Sequence, residues 1–528
     1  MDLEFGELLQ WNVLIPWMLG MVFGVFVGST PGLTATMAVA LIVPFSYHLD
    51  PTAGLAMIIG VSFTAIFAGD IPATYLRIPG TPASAAATLD GHELAKRGRG
   101  GLALTLDLFC SALGGLVGVL ALMTLAPQLA RFALHFTDYE YFWLAIAGLS
   151  LSALVSQGSL LKGAISAMLG LLLSTIGFDI VTGALRYLPT TEQIAWLPSF
   201  AWRPGVAWLP DFSFDLSRAA ATVRFDLMEG PQFIPVMIGL FGLAEVLRSL
   251  RGGERETSKG GATGGALQIW AALKAIAGNL RLFVQSAVTG CFIGALPGAG
   301  ADIAAWGAYG LAQKTSRQPE TFGTGRVEGV IAPTSANNAA VAGAWIPALV
   351  FGVPGDAVTA IVVNAFVTYD IKIGARLFEE GNEQVKSIFA VALLTQLFLL
   401  PAGLAGIKLF SLFMRMPREI IMTSVVVFSV VGAFAIRNSM VDVWIMVIFG
   451  FVGYYLESRK TPLAPLILGL ILGPMIEQKW RVGLVKSGGD ISPFFTRGIC
   501  QVLLAALIFA FLAPNLLRLL RRIQRRSV

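Results

Sequence analysis

Charge is scarce in this sequence. Only 13% of its 528 residues are Asp, Glu, Lys or Arg, where a soluble domain carries about 25%. So few polar groups cannot cover the three or four soluble domains that the length would otherwise allow. Histidine and cysteine are scarcer still, at three each. His48, His92 and His135 lie far apart, and Cys110, Cys291 and Cys500 each fall in an apolar run. No pair has the spacing of a zinc or iron–sulfur site, and no disulfide framework is implied. The excess of cations is small, 37 − 32 = +5. They fall at the ends of apolar runs rather than on one dense face, which excludes a nucleic-acid partner. The basic start of a secretory signal is missing as well: Asp2, Glu4 and Glu7 stand there, so no cleaved signal is expected. There is no His-Glu-x-x-His helix, no Gly-x-Ser-x-Gly elbow with a base, and no Walker-type phosphate loop. An enzyme or an ATP-driven pump is therefore not expected.

Apolar residues, at 55%, are what the chain has in plenty. Their runs extend from 13–30 to 497–517. At about 20 residues per helical span they predict an all-α polytopic membrane protein of about 11–12 transmembrane helices. Gly (58) and Pro (26) are also plentiful. Several apolar runs are short and flank Pro-Gly pairs, the pattern of re-entrant or broken helices. The stretch 251–265 reads as a polar cytoplasmic linker. The stretch 177–226, with Trp196, Trp202 and Trp208, reads as a periplasmic loop at the bilayer interface.

A repeat organises the rest. Gly24, Phe26, Gly28, Pro31, Gly32 and Ala35 recur in register as Gly290, Phe292, Gly294, Pro297, Gly298 and Ala301. Ile71-Pro72-Ala73 with Pro79-Gly80 recurs as Ile346-Pro347-Ala348 with Pro354-Gly355. Lys96-Arg97-Gly98-Arg99, the cations of 248–259 and the Arg-rich tail are expected inside; the acidic N-terminus and Glu379, Glu380 and Glu383 are expected outside. The copies then enter from opposite faces: a first inverted repeat over 1–250 and a second over 266–528. Inverted repeats with matched helix breaks are the mark of secondary transporters.

A broken helix offers bare N–H groups and partial positive charge, which suit an anion. The expected substrate-binding residues are Pro31, Gly32, Thr34, Thr81, Ser84, Pro297, Gly298, Asn337, Asn338 and Gly355. Asp70, Asp90, Asp302 and Asp356 are costly in lipid and are candidates for a coupling Na⁺ or H⁺. For each Asp a half-helix cap is the equal alternative, and for Asn337-Asn338 a capping pair is the alternative to ligands. Arg77 has two even readings, a carboxylate clamp or a partner of Asp70 or Asp90. No other cofactor is expected.

These same residues resemble the large membrane subunit of the tripartite tricarboxylate transporter family. The resemblance covers nearly the whole chain. It rests on Ile78-Pro79-Gly80-Thr81-Pro82 with Thr88-Leu89-Asp90-Gly91, on Pro297-Gly298-Ala299-Gly300, on Phe322-Gly323 through Glu328-Gly329 to Asn337-Asn338, and on Gly352-Val353-Pro354-Gly355. It implies import of a small organic carboxylate across the bacterial inner membrane, driven by an ion gradient. The implied partners are a small membrane subunit and a periplasmic solute-binding protein. The sequence departs from the family pattern at Asp70 and Asp356, where Ser is common, at Thr334, where Glu is common, and in an apparent insertion at about 190–221. Citrate therefore cannot be assumed as the substrate. A stand-alone carrier, which would need no periplasmic partner, and a membrane scaffold or enzyme subunit, which would transport nothing, are the alternative readings.

Overall fold

The computed structural model of the protein describes residues 5–30, 33–155, 159–179, 182–190, 193–194, 199–202, 212–251, 267–378, 383–413 and 418–524. The helices follow the apolar runs. The first half contains α1 (Trp11–Ser29), α2 (Ala35–Ser46), α3 (Pro51–Ala68), α4 (Asp70–Leu76), α5 (Ala85–Leu94), α6 (Gly100–Ala133), α7 (Asp138–Val155), α8 (Leu160–Ser174), α9 (Leu216–Asp226) and α10 (233–251). The second contains α11 (Ile269–Gly278), α12 (Leu280–Gly294), α13 (Gly300–Thr315), α14 (Glu328–Phe351), α15 (Ala357–Thr368) and α16 (Glu383–Phe413). Then follow α17 (Arg418–Ala435), α18 (Met440–Ser458), α19 (Ala464–Lys486) and α20 (Gly498–Gln524).

This is an all-α polytopic membrane protein. Among the described residues, six helices are long and apolar enough to cross a bilayer, or seven if the pair α11–α12, bent by 83°, counts as one span. Composition alone led to eleven or twelve. The arithmetic counts apolar residues wherever they fall, and here many sit in helices of 10–17 residues such as α2, α8 and α15. The stretch 177–226, expected as plain loop, holds two short antiparallel ribbons and α9. Gly177–Phe178 pairs with Leu185–Arg186, and Ser199–Trp202 with Phe212–Asp215. Trp196, Trp208 and linker residues 252–265 lie outside the described residues.

α14 is the axis. Every residue from Gly329 to Val350 is buried, as a helix apolar on all sides must be. It packs on α6, α12 and α13. Small residues set the spacing, because in lipid helices associate through close packing rather than hydrophobic exclusion. A Cβ at Gly20, Gly24 or Gly28 of α1 would lie within 3.0 Å of the Cα of Met57, Val61 or Ala65 of α3. The contacts advance together by four residues, so α1 and α3 run parallel, and α2 returns between their ends. α12 and α14 repeat the arrangement: Gly290 meets Ala336 and Gly294 meets Ala340, each with 2.6 Å to the Cα.

Ion pairs fasten one end of the bundle. Lys479 and Lys486 at the end of α19 hold Asp138 at 2.7 and 2.5 Å. Arg497 holds the buried Glu140 at 2.5 Å, and Arg481 holds Asp179 at 2.7 Å.

The glycine seams give the first prediction. Gly28→Leu and Gly294→Leu should each lower stability in detergent by about 1–3 kcal/mol, the scale of an overpacked core. Gly310→Leu is the control, since nothing lies within 4 Å of its added Cβ. Equal melting temperatures for all three variants would refute the seams.

Candidate functional site

The first break begins where α1 stops. Thr30 turns extended, and Thr34 starts α2 by accepting the Met37 N–H at 3.2 Å. Thr34 is thus an N-cap. Pro31 and Gly32 lie outside the described residues. The next interruption separates α3, α4 and α5. Arg77 closes α4 in a left-handed conformation (φ 60°), and the Gly80 N–H donates to the Gly69 carbonyl at 3.0 Å. Thr81 and Ser84 share a hydroxyl–hydroxyl bond of 2.8 Å. Both lean on Gly69, where an added Cβ would stand 2.5 and 2.6 Å from their oxygens.

The second break lies between α12 and α13. Gly298 (φ 80°) and Gly300 (φ 62°) take left-handed turns that glycine adopts without strain. The Gly298 N–H donates to the Gly355 carbonyl at 2.6 Å. Gly298 lies against Ser152, and Pro297 against Gly148, both on α7. Asp356 starts α15 with a full capping box: its Oδ1 accepts the Thr359 N–H at 2.8 Å, and the Thr359 hydroxyl accepts the Asp356 N–H at 2.9 Å. Asp302 is half-buried in the first turn of α13, beside Asp356.

Because α3 and α4 run on as one apolar span, Pro51–Leu76, four helix starts stand at the breaks. α2 and α15 are capped by their own side chains, from Thr34 and Asp356. The segment Pro82–Ser84 that leads into α5, and α13, have no side-chain cap. Those two open starts belong to segments that pack on each other, along a seam of Ala86, Ala305, Tyr309 and Ala332.

Asp90 has another role. Its oxygens accept the N–H groups of Gly323 (3.0 Å), Gly325 (2.8 Å) and Arg326 (2.7 Å) and the Tyr309 hydroxyl (2.9 Å). A carboxylate so filled is a clamp on the loop before α14. Asn337 and Asn338 are not a capping pair. They lie in the middle of α14, which runs unbroken through Pro333 and Pro347. The Asn337 side chain donates to Asp70 at 3.2 Å, and both polar atoms of the Asn338 side chain are buried without a partner. Arg77 is exposed and forms no ion pair with Asp70 or Asp90. Thr334 bonds the Val330 carbonyl of its own helix at 2.8 Å, the local bond that mid-helix hydroxyls favour. Among the described residues no three His, Cys, Asp or Glu gather as a metal centre.

The sequence reading passed over Asp107. It is fully buried on α6, in contact with Asp70. A single carboxyl in the apolar run 101–126 was the available signal, by the rule that singled out the other four.

A membrane bundle whose broken helices close against one fully buried central helix has the build of a transporter. The comparisons say which kind. The family model of the tripartite tricarboxylate transporter TctA family matches residues 14–200 and 210–468, so the chain belongs to that family. The gap at 201–209 falls inside the stretch read as an insertion. The chain is 31% identical to an "Uncharacterized 52.8 kDa protein in TAR-I ttuC' 3'region" of Agrobacterium vitis, over 93% of this chain and 91% of that protein. A protein described as in the TAR-II ttuC' 3'region of the same organism is 34% identical over 41% of this chain and 89% of its own length. No solved structure matches.

Removing the Asp90 clamp should be expensive. Asp90→Ala leaves three backbone N–H groups and a phenol without their acceptor, at about 1–3 kcal/mol for each group that stays buried. Amide exchange at residues 323–326 should then quicken at least tenfold, read by mass spectrometry. Unchanged protection would mean the carboxylate does not hold the loop.

Proposed function

We propose that this chain is the large permease subunit of a binding-protein-dependent tripartite transporter. It imports a small organic di- or tricarboxylate across the bacterial inner membrane, using a cation gradient. Membership of the family supports the transport of carboxylates and the two partners: a small membrane subunit and a periplasmic solute-binding protein. One observation carries the site: of the four helix starts at the breaks, the two without caps belong to segments that pack together. The Ala83 N–H is the one left bare by Pro82 and by the Ser84 N–H, which donates to the Thr81 carbonyl. It and the open start of α13 then face one anion, each helix start stabilising it by about 0.3–1 kcal/mol, or up to ~2 kcal/mol where partly buried.

Thr81, Ser84 and Asn338 supply hydrogen bonds to the substrate, and the backbone of Gly298 and Gly355 shapes the pocket floor. Thr34 and Pro297 shape its edge. Asp302 and Asp356 stand beside the open start of α13. The two halves are oriented oppositely in the membrane. At the end of α19 opposite the Asp138 ion pairs, Lys162 donates to the Arg459 carbonyl and Arg248 pairs with Glu457, and these cations support the cytoplasmic assignment of that end.

The test is uptake into proteoliposomes of labelled succinate, malate and citrate, with and without a periplasmic fraction, under Na⁺ or pH gradients. Uptake of at least one acid that needs both the fraction and a gradient is expected. Uptake without the fraction would favour a stand-alone carrier, and none under any condition would overturn the proposal. Asn338→Ala should raise the half-saturating concentration about tenfold, equivalent to ~1.4 kcal/mol, with the melting temperature kept.

A further inference from the structure

We infer that Asp70 of α4 and Asp107 of α6 form a buried carboxyl pair that holds a single proton between them, and that this pair couples transport to the pH gradient. The inference rests on the transport reading above and deepens it: it names the coupling ion and adds a residue to its site.

Both carboxyls are 1% exposed, and they are in hydrogen-bonding contact. Their outer oxygens are occupied. Asp70 Oδ2 accepts from Asn337 Nδ2 at 3.2 Å, and Asp107 Oδ1 accepts a long bond from Ser111 at 3.5 Å. The orientation of the Asn337 amide is fixed, because its Oδ1 accepts the Asn338 N–H at 2.6 Å. Asp70 Oδ1 and Asp107 Oδ2 are buried without a hydrogen bond, and the Ser84 hydroxyl stands beside Asp70. No lysine or arginine acts on either carboxyl.

Two carboxylates in contact inside a low-dielectric core cannot both stay ionised, and one shared proton relieves the pair. That proton also supplies a bond to both unpartnered oxygens. A metal cation fits less well. Hard cations hold several oxygens at about 2.3–2.6 Å, and here Asn337 turns an N–H, not a carbonyl, toward Asp70. Gln396 continues the polar seam. It lies against Gly115, two turns along α6 from Asp107, with both side-chain polar atoms buried and unpartnered.

The other titratable groups on the packed elements are Tyr75 on α4, Asp90, His92 and Glu93 on α5, Lys96, Arg97 and Arg99 in the turn before α6, Cys110 and Arg131 on α6, Lys274 on α11, Arg281 and Cys291 on α12, Glu328 on α14, Arg376 in 375–378, and Glu383, Lys386 and Lys408 on α16; α1 and α3 carry none. Asp90 is filled by its loop, Glu93 pairs with Lys96, and Glu328 pairs with Arg326. His92 shares its Nδ1 with the Thr74 carbonyl. The proton balance is simple. Protonated once, the pair carries one negative charge; release of the proton leaves two, and their repulsion parts α4 from α6.

The test uses the full-length protein in lipid nanodiscs and proteoliposomes. At pH 7 the infrared spectrum of the wild type should contain a carboxylic-acid C=O band that shifts in D₂O. The band should be lost in Asp107→Asn and in Asp70→Asn. Both substitutions are near-isosteric and relieve buried charge, and Asp70→Ser serves if either variant melts early. In proteoliposomes with the periplasmic fraction, uptake of labelled succinate, malate or citrate driven by a pH gradient should fall at least tenfold in each variant. Exchange of the same acid down its own gradient should persist. A wild type without the band, a band that survives in Asp107→Asn, or undiminished pH-driven uptake would overturn the proton pair. A wild type that carries the band and loses it in both variants, yet moves none of the three acids, would support the pair and defeat the transport reading instead.

Discussion

A helix that stops inside a bilayer leaves amides and carbonyls with no water to satisfy them. The architecture meets that constraint in the same way in both halves. In the first, the Gly80 N–H donates to the Gly69 carbonyl, and Gly80 abuts the Gly28 carbonyl at the end of α1. In the second, the Gly298 N–H donates to the Gly355 carbonyl, and Gly355 abuts the Gly294 carbonyl at the end of α12. These meetings need glycine because the backbones touch. The parallel glycine seams below them bring the helix ends close enough for the bonds to form. Everything at the candidate site hangs from these bonds: the turn at Gly298, the placement of Thr81 and Ser84, and the two helix starts left without caps.

The acidic residues of the core divide by what fills them. Asp90 accepts four donors and Asp356 is committed to Thr359, so both hold backbone in place. Asp70 and Asp107 each keep a buried oxygen without a hydrogen bond. An unsatisfied buried carboxyl is costly, and structural needs elsewhere are met without it. That contrast separates fastening from function better than position in the chain does.

Much of this was legible in the sequence. The repeated Gly-Phe-Gly-Pro-Gly pattern marks real helix ends, because glycine at fixed spacing records backbone contact. The cap at Asp356 followed from the preference of short polar side chains for caps; Thr34, expected among the substrate ligands, caps α2 as well. Other features were hidden. Asn337 and Asn338 looked like neighbours of a break, yet α14 absorbs two prolines without stopping. Pro333 and Pro347 sit where a fully packed surround holds the helix together, and no local pattern reveals that support. Asp107 was masked by the apolar run around it. Its partner Asp70 stands 37 positions earlier, so only the tertiary structure joins them. The ribbons of 177–226 lack the long alternation that would announce strands.

The ion pairs at one end of the bundle also bear on biosynthesis. Asp138 emerges from the ribosome 341 residues before Lys479 and 348 before Lys486. At about 5–20 residues per second that is a wait of roughly 20–70 s. During that interval Asp138 and Glu140 lack the cations that pair with them in the finished fold. A chain that ends before α19 and α20 leaves this acidic collar uncompensated.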